Sequence, residues 1–179
     1  MNALFAFARA VDWLTDRFGS IAKWAVFLSC FISAGNAVVR YALDISSNAF
    51  LEVQWYMFAA CVMLGAAQVL RLNEHVRVDV LYGRYNGKTQ VLIDLFGLVF
   101  FLLPVMLLMV YLSTPLFIKW YESGEMSSQA GGLIRWPAML TLPLGFALMT
   151  LQGVAEVIKR IGWLMHKYDL DIHYERPLQ

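Results

Sequence analysis

Arg71-Leu72-Asn73-Glu74-His75-Val76-Arg77-Val78-Asp79 is the densest run of ionisable residues in the chain, and Tyr82, Gly83 and Arg84 follow closely. One apolar run, from about Asn48, leads into it; another begins near Gln90. Each apolar run has the roughly 20 residues that an α-helix needs to cross the hydrocarbon core of a bilayer. The polar stretch therefore reads as the hinge between two membrane-spanning helices, and the rest of the chain falls into place around it.

The composition agrees. Of 179 residues, 60% are hydrophobic and 15% charged, against about 45–50% and roughly 25% in an ordinary soluble domain. The class is an integral membrane protein. No basic stripe or nucleic-acid-binding motif is present, so no nucleic-acid partner is expected. Cys30 and Cys61 both fall within apolar runs, where a free thiol behaves as a small apolar group. The N-terminus lacks the pattern of a cleavable signal, because Asp12, Asp16 and Arg17 interrupt what would be its apolar core.

Residues 3–18 read as an amphipathic helix, with Leu4, Phe7, Ala8, Val11, Leu14 and Phe18 on one face and Arg9, Asp12 and Asp16 on another. Two placements stay open: in the plane of the membrane interface, or as a helical extension packed on a neighbour. The first span covers about 21–39. The second, about 48–70, opens with Glu52, Gln54, Trp55 and Tyr56. A carboxylate one turn inside a span is tolerable near the boundary, where insertion penalties fall. Glu52 is expected to make a polar contact with another helix or subunit. The third span, about 90–113, carries Asp94 near its start and Pro104 in its middle, where a kink is expected. A long loop, 114–135, is expected to begin along the membrane surface. The fourth span, about 136–160, opens on Trp136-Pro137 and acquires a polar side at Gln152 and Glu156. A polar tail, 161–179, follows. The fold expected is all-α, a single four-span membrane domain.

Within the hinge, Arg71, His75 and Asp79 stand at i, i+4 and i+8 and would share a helix face. Arg77, Arg84 and Lys88 gather on a different face, suited to anionic headgroups of membrane lipids. Val76, Val78 and Val80 alternate with polar residues, which equally fits an extended segment. Gly87 is expected to end the element. Helix and extended chain both remain open for 71–88.

Orientation follows from the basic residues. Arg9, Arg17, Lys23, Arg71, Arg77, Arg84, Lys88, Lys159, Arg160, Lys167 and Arg176 lie on one side, and Arg40, Lys119 and Arg135 on the other. Eleven against three places both termini and the hinge in the cytoplasm. Trp24 and Trp163 then mark the inner belt, and Trp55, Trp120 and Trp136 the outer one.

Catalysis needs a nucleophile, base or metal set gathered in one place, and the sequence shows no phosphate loop, His-Glu-x-x-His or Cys-x-x-Cys. Glu74, His75 and Asp79 offer one imidazole and two carboxylates, too thin a pattern for a metal site. The chain is read as non-enzymatic, without catalytic residues, cofactor or metal. A membrane anchor for a redox enzyme is the alternative from another class; it would want axial histidines inside the spans, where this sequence has none. A self-sufficient transporter would show repeats and broken helices around a midplane site, also not visible here.

Glu52, Gly65, Arg71, the Asn73-Glu74-His75-Val76-Arg77-Val78-Asp79 run, Ser127, Pro137, Pro143, Gly145 and Gln152 together carry a resemblance. In this pattern the chain resembles the small membrane subunit (small permease) of the tripartite ATP-independent periplasmic (TRAP) transporters. The likeness spans the first to the fourth helix, and its most specific part is His-Val-Arg-Val-Asp. It implies a bacterial inner-membrane, sodium-coupled uptake system for organic acids. A periplasmic substrate-binding protein captures the acid, a large multi-span membrane subunit carries the substrate and sodium sites, and the small subunit braces the large one. On this resemblance Glu52, Arg71, Glu74, His75, Arg77, Asp79 and Gln152 are subunit-docking or structural residues, and none is a substrate ligand.

Overall fold

The computed structural model describes residues 2–44, 47–74, 82 and 85–169. Four helices hold nearly all of them: α1 (Asn2–Leu43), α2 (Asn48–Arg71), α3 (Gly87–Ser123) and α4 (Trp136–Leu164). Each is long and apolar enough to cross a membrane. Among the described residues the only β-pairing is an isolated bridge, Met126 to Ile134.

α1 is one unbroken helix of 42 residues, about 63 Å long at 1.5 Å per residue. The sequence divides it into a surface helix and a span, but the charges between them do not break it. Hydropathy reports where a helix sits; Gly and Pro decide whether it continues. α1 has no proline and only two glycines, Gly19 and Gly35; the missing side chain of Gly19 leaves room for the Gln68 amide of α2. The 3–18 segment packs on its neighbours: Ala8 and Val11 are buried with Ala155, and Leu14 and Phe18 join Leu64, Ala67 and Leu148. Leu4 and Phe7 remain exposed.

α3 begins at Gly87, so that glycine opens an element instead of ending one. The helix answers Pro104 with a π turn, Leu98–Leu102, in which the Leu103 N–H donates to the Leu98 carbonyl five residues back. Proline removes a donor from the ladder, and widening one turn re-routes the neighbouring bonds. α3 then passes through Pro115 and runs to Ser123, ten residues beyond the expected end of the span. Just before that proline, the Ser113 and Thr114 hydroxyls donate to the carbonyls of Met109 (2.6 Å) and Val110 (2.7 Å), the usual accommodation of proline in membrane helices. Gly124, left-handed at φ 59°, stops the helix. The expected loop of 114–135 therefore shrinks to 124–135.

α4 packs against all three other helices. It runs parallel to α2, with Gly145 beside Met63 and Leu148 near Leu64 and Ala67, and antiparallel to α1 and α3. A side chain at Gly145 would come within 2.7 Å of the Met63 backbone oxygen, so this glycine sets the closeness of α2 and α4. The buried stripe of α4 proceeds Thr141, Gly145, Leu148, Gln152, Ala155/Glu156, Lys159, a helical period of three or four. It is small and apolar at first and turns polar at Gln152. That change of character positions the site.

Candidate functional site

Residues 24–39, 53–70, 95–118 and 136–155 contain no Asp, Glu, Lys, Arg or His. On α2, α3 and α4 the charged side chains collect at the two ends of this apolar slab; on α1, where Ala22 packs at Gly65 of α2, Lys23 stands beside it. Glu52 and Arg71, nineteen residues apart on α2, mark the two levels about 28 Å from each other, close to the ~30 Å of a hydrocarbon core.

At the end where α1 starts and α4 finishes, all four helices contribute to one ionic knot. Gln152 of α4 is its hub and is fully buried. Its carbonyl accepts from the Thr15 hydroxyl at 2.8 Å, and its NH2 donates to Asp12 Oδ1 at 2.9 Å and Glu156 Oε1 at 3.0 Å. Lys159 Nζ lies 3.1 Å from Asp12 and 2.5 Å from Glu156. Arg160 donates through Nη1 to Glu156 and through Nη2 to Asp94 of α3 at 3.1 Å. Arg71 of α2 bonds Asp16 through Nη1 and lies 3.7 Å from Asp12, and Gln68 also donates to Asp16 at 3.3 Å. Glu156, Lys159 and Arg160 are each no more than 6% exposed. Four carboxylates and three cations thus satisfy one another, as the buried ones among them must; the Arg71–Asp16 pair is partly exposed.

At the opposite end a single carboxylate does different work. Glu52 is 4% exposed and accepts from the Ser127 hydroxyl at Oε1 and from the Leu133 backbone N–H at Oε2, 2.6 Å. One turn away on either side along the same face of α2, Asn48 Nδ2 donates to the Ala130 carbonyl at 2.8 Å and the Tyr56 hydroxyl to the Ile134 carbonyl at 3.1 Å. Gly132 passes so close that an added side chain would stand 2.8 Å from Glu52 and collide with Ser127. Arg135 pairs with Glu125 at 3.2 Å and covers the Trp120 ring.

The seven residues singled out from sequence separate accordingly. Glu52 sits in the knot at the loop end, and Arg71 and Gln152 sit in the ionic one. Glu74 is exposed just past the end of α2. His75, Arg77 and Asp79, with the shared helix face expected of them, lie outside the described residues. The structure adds partners that sequence reading did not assemble: Asp12, Asp16, Asp94, Glu156, Lys159 and Arg160. For Asp94, Glu156, Lys159 and Arg160 a signal existed, since they lie just beyond the charge-free runs of α3 and α4; Asp12 and Asp16 stand well before that of α1 and gave none.

Beside the π turn an open groove of about 750 Å³ runs between α3 and the ends of α2 and α4. Its walls are apolar, including Ile93, Leu98, Phe101 and Val105, and the Asp94–Arg160 pair lies at its edge. Large apolar side chains also stay exposed along α1 beyond Trp24 and along α3 from Leu92 to Tyr121.

No curated protein and no solved structure matches the chain. A sequence model of the DctQ component of the tripartite ATP-independent periplasmic transporters matches residues 29–162. That range runs from the middle of α1 almost to the end of α4 and takes in both knots except the Asp12, Thr15 and Asp16 side of the ionic one. The chain belongs to this family and is its small permease component, a multi-span membrane subunit of a TRAP transporter.

Proposed function

We propose that this chain is a static brace for the large membrane subunit of a sodium-coupled, binding-protein-dependent transporter of organic acids, with both termini in the cytoplasm of a bacterial cell. The observation that carries this reading is the charge-free middle of α2, α3 and α4 between two self-satisfied knots. A route for an organic anion or a sodium ion needs converging oxygen or cationic groups near the midplane, commonly at the ends of interrupted helices. Here α4 runs unbroken through Pro143, and α3 absorbs Pro104 in a π turn without interruption. The charged groups of the ionic knot, mutually engaged, hold helices together. The exposed apolar faces of α1 and α3 are left for lipid and for the large subunit, since association within a membrane depends on packing and polar contacts. On this reading Arg71 and Gln152 act by fixing the bundle that the large subunit grips. Glu74, His75, Arg77 and Asp79 remain proposed docking residues at the cytoplasmic hinge.

Co-expression with the large subunit tests the brace. The tagged chain should retain the large subunit through purification, and a large subunit made without it should lose yield and uptake. A large subunit that is equally stable and equally active without this chain contradicts the brace. The same preparation, with the binding protein and an inward sodium gradient, should take up an organic acid; uptake indifferent to sodium contradicts the coupling.

A further inference from the structure

A connection of a dozen residues containing Gly124, Gly131 and Gly132 is ordinarily a floppy one, because glycine gives up the most conformational freedom on ordering. This one is not left loose. Asn48, Glu52 and Tyr56, at i, i+4 and i+8 on α2, reach across to Ala130, Ser127, Leu133 and Ile134. Within the loop, the Ser127 N–H donates to the Leu133 carbonyl at 2.9 Å, the Gly132 N–H to Gln129 at 3.0 Å and the Arg135 N–H to Glu125 at 2.9 Å. A buried carboxylate, two further side chains and a set of backbone bonds hold a loop whose tip is exposed. Ser128, Gln129, Ala130 and Gly131 are exposed, and Met126 stands out beside them at 58% exposure. A connector would not need such fastening. A recognition surface would, because a segment already held in its bound shape loses less entropy on association.

We propose that the rigid tip formed by Met126 and Ser128–Gly131 is the surface through which this chain touches the periplasmic substrate-binding protein, with Glu52 as the residue that positions it. This rests on the subunit reading above and on the orientation that puts the loop outside. The chemistry selects the partner. A partner embedded in the bilayer meets apolar helix faces, whereas this tip is small and polar and projects beyond the slab, as suits a water-soluble protein. Met126 supplies the one large apolar contact, on a flexible, polarisable side chain that adapts to an opposing pocket. Glu52 touches no partner on this account; it acts through Ser127 and Leu133.

The test uses the complete three-part system. A photo-crosslinking residue in place of Gln129 should give an adduct with the binding protein on illumination of intact membranes. Met126→Asp should raise the concentration of binding protein needed for half-maximal uptake by roughly tenfold, the scale of a central interface residue. Retention of the large subunit and the binding protein's own substrate affinity should not change. Glu52→Ala should shift the same concentration in the same direction, and excess binding protein should restore the maximal rate, which a merely unstable chain would not allow. Adducts with the large subunit alone, no adduct at all, or an unshifted half-maximal concentration for Met126→Asp would overturn the proposal. Failure of the unsubstituted chain to retain any large subunit would instead contradict the subunit reading on which it rests.

Discussion

The two ends of the bundle bury acidic side chains for opposite purposes. At the cytoplasmic end proposed here, Asp12, Asp16, Asp94 and Glu156 meet three cations, and the contacts join four different helices. At the other end, Glu52 meets a hydroxyl and a backbone amide, and its contacts fasten one loop to one helix. Charge paired with charge across elements sets the arrangement of a bundle. Charge paired with neutral donors sets the shape of a connection. Loss of a residue at the first end should therefore be felt everywhere, and loss at the second only locally.

The largest effect should come from Glu156→Ala. Glu156 lies between Lys159 and Arg160, both buried, and its removal leaves each with less than its full complement of negative charge. Breaking a buried pair in this way typically costs about 3–5 kcal/mol. The detergent-purified complex should melt at a clearly lower temperature; an unchanged melting curve would show the ionic knot to be dispensable. A smaller effect is expected from Gly145→Leu, between the two ends. The new side chain would meet the Met63 backbone, and overpacking of this kind costs roughly 1–3 kcal/mol. A variant as stable as the natural chain would mean that α2 and α4 have room to separate.

Glu52→Ala should leave global melting nearly as it was and expose the loop instead. Hydrogen exchange at Ser127, Gly132 and Leu133 should quicken while α4 keeps its protection. Loss of protection throughout α4 would erase the distinction between the ends. The smallest change is reserved for Arg135→Ala. Its pair with Glu125 is partly exposed, and such pairs contribute about 0.2–1 kcal/mol.

Much of this architecture is legible in the sequence, for a physical reason. Twenty apolar residues have few fates other than a membrane span, so α2, α4 and the middles of α1 and α3 announce themselves. The ends of α1 and α3 do not. Arg9, Asp12, Asp16 and Arg17 read as a change of environment, and Thr114-Pro115 reads as a stop, yet neither breaks the helix. The ionic knot was legible as positions and not as partners. Thr15 and Gln152 are 137 residues apart, and Asp94 and Arg160 are 66 apart; no local pattern links them. What the sequence did contain was the placing of Asp94 and Arg160 just beyond the charge-free runs of α3 and α4. The Glu52 contact with a loop some 75–81 residues away escaped for the same reason, although its place near a span boundary pointed to a polar contact.

The central claim is that this chain braces a transporter and does not itself transport. Liposomes containing the purified chain alone, under an inward sodium gradient and supplied with substrate-loaded binding protein, should show no uptake above empty liposomes. Adding the large subunit should switch on sodium-dependent uptake of the organic acid. Sodium-dependent uptake into liposomes holding this chain alone would contradict the account.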